Sequence, residues 1–137
     1  MTTHVGRNVV PSQRTDVEIS RSMLVQRVIA YIDENFCKAI SLRDVANALG
    51  YSHCYLTTAF REATGVPVTA WIIRRRIEAA RAFLQEPHVK IATVCEKVGF
   101  MDQCYFTRQF VRHVGTTPGK FRSREASMTA SEVPTPR

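Results

Sequence analysis

KIATVCEKVGFMDQCYFTRQFVRHVG, residues 90–115, has the pattern of two short amphipathic helices joined by a tight turn. Apolar residues recur at three- and four-residue spacing on both sides of Gly99, and Gly115 closes the pattern. Both glycines predict helix ends, because glycine readily adopts the left-handed conformation found there. Two helices joined in this way form a helix-turn-helix, whose second helix is free to enter the DNA major groove.

An earlier part of the chain repeats this pattern. SLRDVANALGY, residues 41–51, aligns with KIATVCEKVGF, residues 90–100, at an offset of 49. The second copy then has one extra residue, and at an offset of 50 identical residue types align at Cys54, Tyr55, Thr57, Phe60 and Gly65. Such self-similarity indicates a repeated structural unit. The sequence therefore predicts two helix-turn-helix units, over about 41–66 and 90–115.

Helical spacing continues outside the two units. It predicts a first helix from about Ser22 to Phe36 and a linker helix over 68–86, and no segment alternates as a strand would. The predicted fold class is all-α. A linker of this length spans about 28 Å, close to the helical repeat of B-DNA at about 34–36 Å, which favours one bipartite site. Residues 1–20 and 125–137 lack clear periodicity and are predicted to be flexible arms.

The charge of the chain favours a polyanionic partner. Lys and Arg number 19 against 12 Asp and Glu, which gives a formal net charge of +7. Six cations and a single acid lie between Lys97 and Arg124. Clustered cations gain affinity for nucleic acid by releasing counterions from the phosphates, so double-stranded DNA is the predicted partner. With no apolar run of membrane-spanning length and no signal peptide, a cytoplasmic location at the nucleoid is expected, without membrane association.

The four cysteines do not form a metal-binding pattern. Cys37, Cys54, Cys95 and Cys104 contain no CxxC pair, and their spacing matches no common zinc site. Free thiols at packing or surface positions are the expectation in a reducing cytosol. We therefore predict no metal and no cofactor.

The second unit and the segment before it carry a family pattern. In EAARAFLQEPHVKIATVCEKVGFMDQCYFTRQFVRHVGTTPGKFR, residues 78–122, the residues that match it are Ile91, Ala92, Gly99, Phe100, Asp102, Gln103, Tyr105, Phe106, Thr107, Arg108, Phe110, Gly115, Thr117, Pro118, Phe121 and Arg122. In these positions the chain resembles the DNA-binding domain of the AraC/XylS family. The resemblance extends over residues 21–124.

This resemblance implies a seven-helix fold with two helix-turn-helix units and a role in bacterial transcription regulation. In the family, regulation is usually activation through contact with RNA polymerase. Residues 21–124 leave no room for the ligand-sensing domain that most relatives carry, so the chain is expected to resemble the stand-alone members, which bind a bipartite site as monomers. A fragment of a longer regulator is the alternative, and Met1 and the tail after Arg124 argue against it.

The residues expected to contact DNA lie on the second helix of each unit. On the second unit they are Asp102, Gln103, Cys104, Thr107, Arg108 and Arg112, and on the first His53, Cys54, Thr57, Thr58 and Arg61. Gln pairs well with adenine and Arg with guanine, so we assign base reading to Gln103 and base or phosphate contact to Arg108. Asp102 is expected to cap its helix. The mostly short side chains of the first set predict weak or shape-based readout there.

Further roles are predicted for residues around these helices. Phosphate contacts are expected from Ser52, Lys120 and Arg122, and core positions for Tyr105, Phe106 and Phe110. Arg74, Arg75 and Arg76 point about 100° apart on a helix and cannot form one patch. Arg74 is spaced for a pair with Glu78, which leaves the other two as candidate surface or phosphate contacts.

Three other functions have different requirements. An enzyme finds no support, because no catalytic triad order or phosphate-binding glycine loop is present. A thiol-sensitive regulator would use Cys54 and Cys104, which occupy equivalent places in the repeat. A low-specificity, nucleoid-like DNA binder would differ from a regulator in the ratio of specific to non-specific affinity.

Overall fold

The computed structural model describes the backbone of residues 2–132 and the side chains of residues 16–128. This part of the chain contains helices and no strands. The helices are α1 (Thr2–Asn35), α2 (Leu42–Leu49), α3 (His53–Thr64), α4 (Val68–Phe83), α5 (Ile91–Lys97), α6 (Gln103–Val114) and α7 (Pro118–Glu132). The prediction of an all-α fold with seven helices and two helix-turn-helix pairs, α2–α3 and α5–α6, is confirmed.

Three helix boundaries differ from the sequence prediction. α1 begins at Thr2 instead of Ser22, so the predicted N-terminal arm is helical. α7 continues to Glu132 through part of the predicted C-terminal arm, because no glycine or proline interrupts the chain between Lys120 and Val133. Residues 133–137 lie outside the described part. The linker helix α4 ends at Phe83, since the residue before Pro87 disfavours helical conformation.

The chain divides into two compact units. Unit 1 contains the residues up to Glu34 together with Ile40–Ala70, and unit 2 contains Asn35–Ala39 and the residues from Trp71 onward. The short segment between α1 and α2 therefore belongs to unit 2 by its contacts. Sequence periodicity did not reveal this assignment, since the segment lies between two helices of unit 1.

Each unit has its own apolar core. In unit 1 the buried side chains include Leu24, Val28, Ile32, Val45, Leu56 and Phe60. In unit 2 one cluster combines residues from α4 to α7, namely Ile77, Ala80, Leu84, Val94, Cys95, Val98, Phe100, Phe106, Phe110 and Phe121. Its rings form a continuous chain of contacts, with centroids 5.2 to 5.8 Å apart. Burial of these large side chains is the main source of stability that holds α5 and α6 together.

A serine side chain caps the start of α2. At α2, the Ser41 hydroxyl accepts a hydrogen bond from the Asp44 backbone N–H at 3.2 Å, and the Asp44 carboxylate accepts one from the Ser41 N–H at 2.8 Å. This reciprocal pair is a capping box. α2 ends at Gly50 in the left-handed conformation, with φ at 79°. The short turn to α3 follows directly, so the first residues of α3 are placed by the cap and the glycine.

Candidate nucleic-acid interface

The second helix of unit 1, α3, begins at a serine cap. The Ser52 hydroxyl accepts a hydrogen bond from the Tyr55 backbone N–H at 3.1 Å, which satisfies one of the free N–H groups at the helix start. Leu56 and Phe60 point into the core and are fully buried. The opposite face is therefore left for solvent or a partner.

The predicted contact residues of α3 lie on its accessible face. His53, Cys54, Thr58 and Arg61 are exposed, and Thr57 is half-buried. The Thr57 hydroxyl donates a hydrogen bond to the His53 carbonyl at 2.8 Å. Because its proton is used inside the helix, the methyl group is the part of Thr57 best suited to meet a base. Weak or shape-based readout by unit 1 stays a prediction.

The second helix of unit 2, α6, begins at an aspartate cap. The Asp102 carboxylate accepts hydrogen bonds from the backbone N–H groups of Tyr105 at 3.1 Å and Cys104 at 3.4 Å. The capping role predicted for Asp102 is confirmed. A carboxylate at this end of the helix also interacts favourably with the helix dipole.

The predicted contact residues of α6 are also accessible. Gln103, Cys104, Arg108 and Arg112 are exposed, and Thr107 is half-buried. The Arg108 guanidinium carbon lies 5.8 Å from the centre of the Tyr105 ring, within the range of a cation–π contact. α6 thus presents an amide, a hydroxyl and two guanidinium groups on one helix, a donor and acceptor set suited to base edges and phosphates.

Tyr105 corrects one prediction about the core. Phe106 and Phe110 are fully buried as expected, but 37% of Tyr105 is exposed. Its neighbour Phe106 points about 100° away around the helix, so the two rings cannot share one inward face. Tyr105 instead meets the buried Phe100 ring edge-on, at 5.9 Å and 61°. The partly exposed position suits a ring that carries a polar hydroxyl.

Tyr55 is a candidate contact that the sequence reasoning missed. It occupies the place of Tyr105 in unit 1 and is 48% exposed, with its ring 5.8 Å from that of Tyr51. The signal was available in the repeat alignment, where the two tyrosines coincide. The prediction gives Tyr105 a core position and gives Tyr55 no role.

The residues predicted to contact phosphates have different surroundings. Ser52 caps α3, and its hydroxyl proton remains available for a phosphate. Lys120 is exposed at the start of α7, where its backbone N–H donates to the Thr117 hydroxyl at 3.2 Å. Arg122 is half-buried and donates from Nη1 to the Val89 carbonyl. Its phosphate contact stays a prediction, and one end of its guanidinium is already used within unit 2.

The three consecutive arginines of α4 have separate roles. Arg74 pairs with Glu78 at 3.9 Å, as its spacing predicts. Arg75 lies over the Phe36 ring at 4.4 Å. Arg76 donates to the carbonyls of Phe36 and Lys38, which corrects its interpretation as a surface or phosphate contact. Burial lowers the pKa of the Arg76 guanidinium below its ordinary value, and the nearby Tyr105 and Cys37 oppose this shift.

Arg76 and Arg27 extend the internal repeat into the preceding helices. Arg27 of α1 lies over the Tyr51 ring at 5.2 Å, and Arg76 of α4 over the Phe100 ring at 5.6 Å. Arg27 also donates to the Tyr51 hydroxyl at 3.0 Å and to the Leu49 carbonyl at 3.2 Å. The two arginines are separated by the same offset of 49 as the aromatics beneath them. An arginine on an aromatic at the turn is therefore a feature of both units.

The cysteines are free thiols, as predicted. Cys37, Cys54 and Cys104 are exposed and Cys95 is buried. Burial raises the pKa of the Cys95 thiol, and the nearby Asp102 and Glu96 act in the same direction. Within the described residues, no three His, Cys, Asp or Glu side chains are grouped closely enough to hold a metal ion.

The sequence of the two units matches a known domain family. A family described as a helix-turn-helix domain matches residues 45–124, which extend from within α2 into α7 and include the whole AraC/XylS pattern over residues 78–122. The chain belongs to the AraC/XylS family. This is a family of DNA-binding transcription regulators and not of enzymes.

Similar members of the AraC/XylS family are found among curated proteins. The chain is 35% identical over 85 residues to the probable transcription factor PqrA of Proteus vulgaris, covering 62% of this chain and 70% of PqrA. It is 29% identical over 102 residues to the transcriptional activator AarP of Providencia stuartii, covering 74% and 76%. The chain spans 40% and 37% of the lengths of two further relatives, so it corresponds to part of those proteins.

A solved member of the AraC/XylS fold has been captured on DNA. The DNA-binding domain of AdpA, in complex with a target DNA, superposes with a TM-score of 0.70 at 22% identity. The match covers 81% of this chain and 97% of the AdpA domain. At this identity the likeness establishes the shared fold. Among the described helices of the present chain, none combines the length and apolar character needed to cross a membrane.

Proposed function

We propose that this AraC/XylS protein is a sequence-specific regulator of transcription that binds promoter DNA through α3 and α6. The observation that carries the proposal is the exposed face of α6, where Gln103, Thr107 and Arg108 follow a capped helix start and stand opposite a fully buried aromatic core. A helix held in this way presents base-reading groups without itself having to move.

The two helices are proposed to contribute unequally to sequence readout. Gln103 supplies the amide that pairs with adenine, and Arg108 the guanidinium that pairs with guanine or a phosphate. Arg112, one turn beyond Arg108, and Cys104 border this surface. On α3, the surface consists of His53, Cys54, Thr57, Thr58 and Arg61, whose mostly short side chains support weaker or shape-based readout.

Contacts to the DNA backbone are proposed to orient both helices. The net charge of +7 supports a sequence-independent electrostatic contribution to affinity. Ser52 and Lys120 are the proposed phosphate contacts with free donors, and Arg122 is a third whose Nη1 also holds the Val89 carbonyl. A regulator of this kind would work in the cytoplasm, at the nucleoid.

Activation is the proposed direction of regulation, with the protein acting as a monomer on a bipartite site and contacting RNA polymerase. Support comes from the similarity to AarP, which is described as a transcriptional activator. The presence of two complete helix-turn-helix units in one chain supports the bipartite site, because each unit supplies one candidate reading helix.

Binding-site selection from random DNA at about physiological salt tests this proposal. The wild type is compared with Arg108→Ala, which removes a proposed base contact, and with Lys120→Ala, which removes a proposed phosphate contact. We expect two short motifs about one helical turn apart, with Arg108→Ala blurring one motif. Lys120→Ala should lower affinity for all sequences alike. Equal binding of wild type to all sequences would contradict specific regulation and support a nucleoid-like binder.

The exposure of Cys54 and Cys104 on the two candidate reading helices favours one additional hypothesis, thiol-sensitive binding. Oxidation or alkylation at either sulfur would add bulk to a surface proposed to meet DNA. DNA affinity is measured with and without peroxide for the wild type and for a variant with all four cysteines changed to serine. The hypothesis requires that peroxide weaken binding of the wild type alone.

A further inference from the structure

We propose that Tyr105 positions Arg108 for base recognition. This arrangement gives unit 2 a base preference that unit 1 lacks. The inference rests on the proposed function, in which Arg108 contacts a base. Tyr105 has no proposed hydrogen bond to DNA and acts through Arg108.

A series of ring contacts runs from the core to the surface of α6. Phe100 is 95% buried and packs on the fully buried Phe106, with ring centres 5.2 Å apart. Tyr105 meets Phe100 edge-on at 5.9 Å, and the Arg108 guanidinium lies 5.8 Å from the Tyr105 ring centre. The Tyr105 ring therefore lies between a buried core residue and an exposed cation.

Phe100, at the inner end of this series of contacts, also packs against a hydrogen-bonded arginine. Arg76 lies over Phe100 at 5.6 Å, and its Nε and Nη2 atoms donate to the Phe36 and Lys38 carbonyls at 2.8 and 2.9 Å. Phe100 is thus fixed by a cation on one side and by the core on another. The Tyr105 ring packs on the outer side of Phe100, so it rests on a residue that is itself packed on two other sides.

A supported guanidinium is better suited to base reading than a free one. An exposed arginine has many rotamers, and ordering it on DNA costs conformational entropy. Residues three apart on a helix are neighbours, so the Tyr105 ring restricts Arg108 before DNA arrives. The guanidinium has N–H groups on several sides, so those turned away from the ring can donate to the two acceptors of guanine.

Unit 1 has a similar tyrosine on α3, but no arginine at the position that aligns with Arg108. Arg27 lies over Tyr51 at 5.2 Å, and Tyr51 contacts Tyr55 at 5.8 Å. The residue of α3 that aligns with Arg108 is Thr58. Both units therefore contain an arginine, a turn aromatic and a tyrosine in series, and they differ at the outer end of this series. The inner end differs as well, because Leu56 of unit 1 aligns with Phe106.

The first experiment measures Kd for the selected site and for single-base variants of it, using Tyr105→Leu, Tyr105→Phe, Arg108→Ala and the double variant Tyr105→Leu/Arg108→Ala. Tyr105→Leu should reduce discrimination at the base pair read by Arg108 by about two- to fivefold, while Tyr105→Phe, which keeps the ring, retains it. In the double variant, the loss should equal that of Arg108→Ala alone. Tyr55→Leu is the matched comparison in unit 1. Because Tyr55 is itself a candidate contact, this variant can lower affinity, but any change of base preference should fall in the first half-site and not at the base pair read by Arg108.

The outcomes separate this inference from the proposed function. If Arg108→Ala alters one base preference and Tyr105→Leu does not, or if the two losses add, the positioning role is overturned and the proposed function stands. If Arg108→Ala leaves every base preference intact, Arg108 does not read a base and only the positioning inference is overturned. The proposed function itself is overturned if the wild type shows no base preference. A general weakening of binding to all variants by Tyr105→Leu, with Tyr105→Phe equally weak, would indicate a purely structural role and also overturn the inference.

A gain-of-function variant provides an independent test. Thr58→Arg places an arginine beside the Tyr55 ring in unit 1, so it should add a guanine preference at one position of the first half-site. Adding Tyr55→Leu to this variant should reduce the new preference by the same two- to fivefold. A new preference that is insensitive to Tyr55→Leu would overturn the claim that the ring positions the arginine.

Discussion

Arg76 and Phe36 are forty residues apart in the chain, and the Nε atom of Arg76 donates a hydrogen bond to the Phe36 carbonyl at 2.8 Å. Nη2 of the same side chain donates to the Lys38 carbonyl at 2.9 Å. Together these bonds hold the segment after α1 against α4 within unit 2. The two hydrogen bonds replace those that the partly buried guanidinium would otherwise make to water. Arg76 therefore stabilises this segment only while both carbonyls accept its N–H groups.

Removal of these two bonds should destabilise the protein. We expect Arg76→Ala to lower the free energy of unfolding by about 2–3 kcal/mol, because two carbonyls lose a charged donor. Arg74→Ala is the matched control. Its exposed pair with Glu78 at 3.9 Å and its contact with the Trp71 ring at 5.2 Å should together be worth less, about 1 kcal/mol. Urea unfolding followed by circular dichroism gives both values. Equal losses in the two variants would contradict the structural role of Arg76.

Gly99 should be far less tolerant of a side chain than Gly50. A Cβ atom at Gly99 would lie 2.5 Å from the Phe36 carbonyl oxygen and 2.9 Å from Arg76 Nε, whereas one at Gly50 meets nothing within 4 Å. Both residues have positive φ, at 101° and 79°, so both alanine variants share the cost of about 1–2 kcal/mol for that conformation. We expect Gly99→Ala to lose at least about 1 kcal/mol more than Gly50→Ala in thermal unfolding, and similar losses would count against the close approach at Gly99.

Asp102 should contribute to stability through its cap more than to DNA binding through direct contact. Asp102→Ala removes the acceptor of the Tyr105 and Cys104 N–H groups and should cost about 1 kcal/mol. Asp102→Asn keeps a capping oxygen, so it should cost a few tenths of a kcal/mol. Calorimetry of the two variants, together with DNA affinity, separates the roles. A large loss of base discrimination in the stable Asp102→Asn variant would show that the carboxylate itself reads DNA.

The four thiols should fall into two classes of reactivity. A disulfide reagent added to the folded protein should modify the exposed Cys37, Cys54 and Cys104 rapidly and the buried Cys95 only on unfolding. Cys95→Ala should leave the rapid phase unchanged, whereas rapid reaction of all four thiols would contradict the burial of Cys95.

The Cys95 thiol should also make stability depend on pH in alkaline solution. Because burial raises its pKa in the folded state, Cys95 keeps its proton there while the unfolded chain releases it above about pH 8.5. Its neutral form is present in both states below that pH, so it adds no pH dependence there. Stability should fall as pH rises through this range. Urea unfolding between neutral and alkaline pH checks this, and Cys95→Ala should show a smaller decrease.

The sequence was sufficient to predict the features that depend on local spacing. Asp102, through its side chain, and Gly115, through its backbone freedom, identify the two ends of α6, and the burial of Phe106 and Phe110 follows from their four-residue spacing. The internal repeat then made two helix-turn-helix units a stronger interpretation than one. These features depend on residues that are close to one another in the chain, so they can be predicted from one sequence.

Features that depend on contacts between distant residues were not predictable. Nothing near Arg76 in the sequence identifies Phe36 and Lys38 as its acceptors, so it was interpreted as a surface cation. Tyr105 was assigned to the core because aromatic residues usually pack inside, and its place at the edge of Phe100 emerged only from the fold. The base-contact assignments on α3 and α6 remain predictions, with their accessibility now known.

The two helices that face the proposed partner begin with caps of different charge. α3 starts at the neutral hydroxyl of Ser52, and α6 starts at the carboxylate of Asp102. A helix N-terminus attracts anions, so that of α3 remains electrostatically open to a phosphate, whereas at α6 an anion is already in place. A polyanion approaching the protein therefore meets attraction at one helix start and repulsion at the other, and along α6 its favourable charge contacts must come from Arg108 and Arg112.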